Sequence, residues 1–124
     1  MKIVMCEKCK KIAGIIQDSP CPTMCCGEPM VELVPNTTDG AREKHVPVVE
    51  IKGNVVTVTV GEVEHPMLDA HYIQWILLET NMGNSRRPLT PGSKPQAVFV
   101  LAEGEVPIAA YEYCNLHGFW KKEL

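Results

Sequence analysis

From Val55 to Val60 the chain reads VVTVTV, and from Val56 onward valine alternates with threonine. A period of two puts the valines on one face of a strand and the threonines on the other, the mark of a half-buried strand. Val46 to Ile51 is a second β-branched run, and Lys52-Gly53-Asn54 between the two is a hairpin signature. Further strands are predicted over Tyr72 to Glu79, Ala97 to Ala102, Val106 to Tyr113 and Phe119 to Lys122. The stretch Asn81 to Gln96, rich in Gly, Pro, Ser and Asn, reads as a long loop. No segment keeps a helical period over ten residues. Short strands punctuated by turns predict an antiparallel sandwich or barrel.

The N-terminal stretch is of another kind. Five of the six cysteines fall between Cys6 and Cys26, around an apolar strand-like piece from Ile12 to Ile16 and a turn at Asp18-Ser19-Pro20. So short a segment buries too little apolar surface to fold alone, and a bound metal is expected to supply the missing stability. Pro35 to Arg42 (PNTTDGAR) is polar and turn-rich and reads as a linker. The expected organisation is therefore a cysteine-rich module over residues 1–36 and a β domain over 37–124.

Composition narrows the function class. Hydrophobic residues make up 45% and charged residues 22%, ordinary values for a soluble globular protein. No apolar run approaches the ~20 residues of a membrane span, and Met1 to Cys6 lacks the pattern of a signal peptide. A cytoplasmic protein with no membrane partner is expected. The net charge is −3 and Arg86-Arg87 is an isolated pair, so a nucleic-acid partner is not expected either. In reducing cytosol, crowded cysteines read as metal thiolates before disulfides.

The four histidines are His45 in EKHVPVV, His65 and His71 in HPMLDAH, and His117 in CNLHGFW; Cys114 precedes the last by three residues. A histidine taken singly is more often a surface or hydrogen-bonded core residue than a ligand, and a lone cysteine is more often a buried thiol. Cys114-x-x-His117 is more suggestive, since one tight turn can aim both side chains at one ion. Pro66 holds His65 extended. Imidazole suits iron, zinc, copper and nickel, and spacing by itself does not choose among them.

Three strings go further. Glu43-Lys44-His45-Val46-Pro47-Val48, His65-Pro66-Met67-x-x-x-His71-x-Ile73-x-Trp75-Ile76 and Cys114-Asn115-Leu116-His117-Gly118-x-Trp120 closely resemble the signatures of the superoxide reductase family. The N-terminal part resembles the desulforedoxin module of the two-iron class, the desulfoferrodoxins. The resemblance implies an immunoglobulin-like β-sandwich behind a small metal module. It also implies one-electron reduction of superoxide to hydrogen peroxide at a mononuclear non-haem iron, in defence against oxidative stress. His45, His65, His71 and His117 are then the equatorial ligands and Cys114 the axial thiolate. Glu43 matches the carboxylate that fills the sixth position in the oxidised state, and Lys44 the cation beside the open site. A homodimer fed by a rubredoxin-like electron donor is implied as well.

Cys6, Cys9, Cys25 and Cys26 have the two-pair spacing of a tetrahedral thiolate site. Spacing alone reads as structural zinc, whereas the resemblance implies iron. Lys10 stands where the family has glycine behind the first pair, and Cys21 is an additional thiol. Trp75, Trp120, Tyr72 and Phe119 read as core or wall residues rather than redox relays. Two rival functions remain. One is a non-catalytic iron electron carrier or redox sensor, which small anions such as azide would separate by their effect on the ferric spectrum. The other is a zinc-stabilised interaction protein, which metal analysis would separate.

Overall fold

A computed structural model describes residues 1–124, and strand accounts for 49% of them against 3% helix, so the all-β expectation holds. The chain divides into two compact units, Met1–Val34 and Pro35–Leu124.

In the first unit β1 (Lys2–Met5) lies between β2 (Ile12–Ile15) and β5 (Val31–Glu32), all antiparallel. A small hairpin of β3 (Met24–Cys25) and β4 (Glu28–Pro29) completes it. Its buried apolar residues are Ile3, Val4 and Cys6 alone, far less than an independent core requires.

The second unit is a sandwich of two antiparallel sheets. It opens with one helical turn, α1 (Arg42–His45). The strands that follow are β6 (Pro47–Lys52), β7 (Val55–Val60), β8 (Ile73–Thr80), β9 (Gly83–Pro88), β10 (Gln96–Val100), β11 (Pro107–Cys114) and β12 (Gly118–Glu123). One sheet runs β10-β7-β6 and the other β12-β11-β8-β9. Along β7, Val56, Val58 and Val60 are buried and Thr57 and Thr59 half-exposed, as the alternation from Val56 onward predicts. Gly53, at φ 59°, begins the two-residue loop that closes the β6–β7 hairpin, a position where positive φ suits the twist of the strands. Val56, Val58 and Val60 meet Ile76 and Leu78 of β8, Ala97 and Phe99 of β10, and Ala110 and Cys114 of β11.

Two expectations need correction. Asn81 to Gln96 is not all loop: Gly83 to Pro88 pairs along the length of β8, from Thr80↔Gly83 to Trp75↔Pro88. Every residue of β9 is exposed, so this edge strand has no buried face to impose an alternation. The polar stretch Pro35 to Arg42 is also more than a tether. Asn36 is bound through its backbone N–H to Phe119 O (3.0 Å) and through its side chain to Lys121, as donor to the carbonyl (3.1 Å) and acceptor from the N–H (2.9 Å). No helix is long and apolar enough to cross a membrane.

Candidate metal centres

The second unit brings His45, His65, His71, His117 and Cys114 together, with all their ligand atoms within 4.8 Å of one another. His45 ends α1, and Cys114 and His117 belong to the tight turn joining β11 to β12. Gly118, at φ 81°, closes that turn, and a β-carbon there would press on Thr38 at 3.1 Å. The imidazoles close a ring. Consecutive centroids lie 4.7 Å (His45–His65), 4.7 Å (His65–His71), 5.0 Å (His71–His117) and 4.8 Å (His117–His45) apart. Neighbouring planes cross at 72–83°, like the blades of a propeller.

The ring nitrogens show what belongs at its centre. His45 Nδ1 donates to Ala41 O and His65 Nδ1 to Pro66 O, each at 2.7 Å. A carbonyl only accepts, so each Nδ1 carries the proton and each Nε2 is left as a lone pair. Yet His45 Nε2 lies 3.1 Å from His65 Nε2 and 3.1 Å from His117 Nδ1. Two lone pairs at that distance repel unless a cation stands between them. His71 Nε2 is buried without a hydrogen-bond partner. A square with such edges has its centre about 2.2 Å from each corner, close to a metal–imidazole bond of about 2.0–2.1 Å. Burial lowers the proton affinity of His45 and His71 and brings His65 down to about 4, which keeps these three imidazoles neutral and able to ligate.

Cys114 is fully buried, with Sγ 3.8 Å from His117 Nδ1. Because the histidine ring is closed, the sulfur must lie off its plane, on one side. Burial pushes the thiol upward, while the N–H groups of Leu116 and His117 favour the thiolate; a cation at the centre would complete the ionisation. Between Tyr113↔Trp75 and Cys114↔Ile73 the β11–β8 register slips by one residue of β8, a bulge of the kind that bends strands beside functional sites.

Residues other than the gathered donors fix this geometry. Asn115 Oδ1 accepts from Tyr72 N–H (2.9 Å) and its Nδ2 donates to Ala70 O (3.0 Å), tying the Cys114–His117 turn to the segment that bears His71. Trp120 stacks on His45 (5.0 Å, 24°) and donates to His117 O (3.0 Å), which also accepts from Thr38 Oγ1. A β-carbon on Gly40 would meet Trp120, His117 and His45 at 3.1–3.3 Å, so the polar stretch packs directly against these residues of the centre. One on Gly61 would lie 2.4 Å from Glu43 O, so a glycine lets this loop close on α1. Asn115 lies within the third motif; Gly40 and Gly61 gave no sequence signal because their role is close approach.

Glu43 is not among the gathered donors. It is exposed and lines a recess with Arg42, Val46, Pro47, Val48, Val49, Glu62 and Lys122. Lys44 is exposed too, and its charge lowers the proton affinity of both His45 and His71.

In the first unit Cys6, Cys9, Cys25 and Cys26 form a second cluster. Cys9 Sγ lies 3.6 Å from Cys25 Sγ, which lies 3.9 Å from Cys26 Sγ. A tetrahedron with metal–sulfur bonds of about 2.3 Å has edges of about 3.8 Å, so the four sulfurs fit one ion. The Cys9 N–H and its neighbours pull Cys6 down to about 7, while hydrogen bonds to the other sulfurs push Cys26 up to about 12. Four thiolates this close need a cation to ionise together. Lys10 takes φ 65° and Cys26 φ 51°, conformations that favour glycine. Cys21 is exposed and outside the cluster.

A family model described as Desulfoferrodoxin matches residues 37–123. The desulfoferrodoxin of Syntrophotalea carbinolica is 45% identical, over 99% of this chain and 96% of its own. That of Nitratidesulfovibrio vulgaris is 43% identical, over 98% and 95%. Among solved structures, the superoxide reductase from Treponema pallidum superposes with a TM-score of 0.83 at 34% identity, covering 99% of this chain and all of that one.

Proposed function

The chain belongs to the desulfoferrodoxin family, and from that premise we propose that it is a superoxide reductase, converting superoxide to hydrogen peroxide by one electron at an iron held by His45, His65, His71, His117 and Cys114. The observation that carries this reading is the closed imidazole ring with a sulfur donor on one side and no further protein donor gathered with it. Bound iron supplies the electron and a position at which a small anion can bind.

This chain's own residues do the rest. Four neutral imidazoles and one thiolate cancel only one charge of a divalent ion, so the centre keeps a net positive charge that favours an anion. Lys44, whose field reaches His45 and His71, adds to that attraction and stands ready to hold a proton near the product. With iron bound, Glu43, which lines the recess beside α1, would be the carboxylate that holds its remaining position in the oxidised state. The thiolate raises the electron density at iron, and burial of Cys114, His45, His65 and Trp120 keeps water from that part of the centre.

Residues 1–36 are the desulforedoxin-like module with a second iron in its four-cysteine site, which zinc also fits, and 37–124 the catalytic domain. A rubredoxin-like donor, a homodimer and a cytoplasmic location rest on the family alone. The test is a superoxide pulse on the reduced, iron-loaded protein. One hydrogen peroxide should form per superoxide, with one exogenous electron consumed and no oxygen released. Stoichiometric oxygen would mean dismutation and overturn the proposal.

A further inference from the structure

The outer face of the four-stranded sheet carries aromatic side chains that the metal chemistry leaves unused. Tyr113 of β11 stacks on Trp75 of β8 (5.9 Å, 14°), and Trp75 meets Phe119 of β12 (6.0 Å, 50°). Phe119 in turn stacks on Tyr111 (5.4 Å, 9°). At the near end Tyr113 is bonded in the chain to Cys114, the sulfur donor of the five-residue centre. At the far end Tyr111, only 4% exposed, donates its phenolic O–H to Glu79 Oε2 at 2.6 Å.

Packing accounts for the stacked rings, and the carboxylate that satisfies the buried phenol also gives its proton a place to go. A phenol loses an electron readily only if its proton leaves too, and a carboxylate in short hydrogen-bond contact is the acceptor this needs. Lys121 Nζ lies 5.4 Å over the Tyr111 ring. Its charge disfavours a cationic ring and makes loss of the proton compulsory. Burial also holds Tyr111 at about 12, so the phenol does not ionise beforehand and its electron and proton leave together. Phe119 is too hard to oxidise to be a stopping point and serves as a bridge between Trp75 and Tyr111.

We propose that Tyr111 and Glu79 form a proton-coupled redox site, reached from Cys114 through Tyr113, Trp75 and Phe119, that gives up an electron when peroxide attacks the metal centre. The oxidant is the product of the proposed superoxide chemistry, so this half of the inference rests on that reading. Reducing hydrogen peroxide to two waters takes two electrons and two protons. A ferrous ion supplies one electron and is left ferric. Tyr111 supplies the other, its O–H bond breaks, and its proton passes to Glu79. Both protons of the waters come from solvent, and the phenoxyl radical is reduced afterwards by a diffusible thiol. Without this donor the second electron comes from the sulfur of Cys114, the first step towards its irreversible oxidation.

The experiment uses the full-length, metal-loaded protein in two arms. In the first, a photogenerated ruthenium(III) complex oxidises the protein, and freeze-trapped samples are read by electron paramagnetic resonance. A tyrosyl radical is expected, reduced at least fivefold in Tyr111→Phe and in Glu79→Gln, which keeps an acceptor but not the base. In the second, the reduced protein meets hydrogen peroxide and Cys114 oxidation is read by peptide mass spectrometry. It is expected to rise severalfold in both variants. An undiminished radical in both variants, or unchanged Cys114 oxidation, overturns the proposal. The first arm needs no superoxide chemistry, so its failure is distinct from failure of the reductase reading.

Discussion

Glu112 sits on β11 two residues before Cys114, fully buried in the sandwich, and neither carboxylate oxygen has a hydrogen-bond partner. Burial therefore holds its pKa well above the ordinary carboxylate range. The folded protein keeps this proton at pH values where the unfolded chain has lost it, so the native state loses stability as pH rises above the unfolded value of about 4.3. Glu112→Gln removes that titration. Thermal unfolding should show the variant gaining on the wild type as pH is raised from 4 towards 8; parallel profiles would show that Glu112 ionises normally. Lys44 acts the other way, through solvent. Lys44→Ala should slow superoxide capture by about tenfold, the lower end of electrostatic steering, and flatten its dependence on ionic strength. Stability should change by less than about 0.5 kcal/mol, since the side chain is exposed. Pulse radiolysis across a salt series measures the first effect, and an unchanged rate removes Lys44 from the mechanism.

At the scale of elements, the site depends on how short segments are tied together. The β11–β12 turn supplies two donors, and Asn115 anchors it to Tyr72 and Ala70. Asn115→Ala leaves a backbone donor and a backbone acceptor short of a partner, at a cost of about 1–3 kcal/mol. Metal affinity at the five-donor centre should fall by about 10- to 100-fold, as for other residues that orient ligands, while the four-cysteine site keeps its metal. Titration with a competing chelator measures both. The elements also show how far the sequence could be read. The alternation of VVTVTV placed β7 because one of its faces is buried. The same reasoning passed over β9, where GNSRRP is exposed on both faces and held by backbone pairing to β8. It passed over α1 too, because one turn is shorter than any period it could display.

The whole molecule joins two units with very different cores. Met1–Val34 has three buried apolar residues, whereas the sandwich of Pro35–Leu124 has a continuous core between its sheets. Stripping the four-cysteine site with a strong chelator should therefore abolish amide protection in β1 to β5 and leave β7, β8 and β11 protected. Hydrogen exchange after metal removal tests this, and persistent protection in β1 would show that the module folds without its ion.

The sequence by itself determined the all-β class, most strands of the sandwich and, through its motifs, which histidines and cysteines to look for together. Alternation, turn residues and short motifs are local, and a chain displays them before it folds. Only the tertiary structure decided that four imidazoles from separate segments close into one ring with Cys114 to one side. The same holds for the close approach of Gly40 to Trp120, His117 and His45, and of Gly61 to α1. Such contacts join residues far apart in the chain, and what selects them is the space left between packed elements, which no local pattern records.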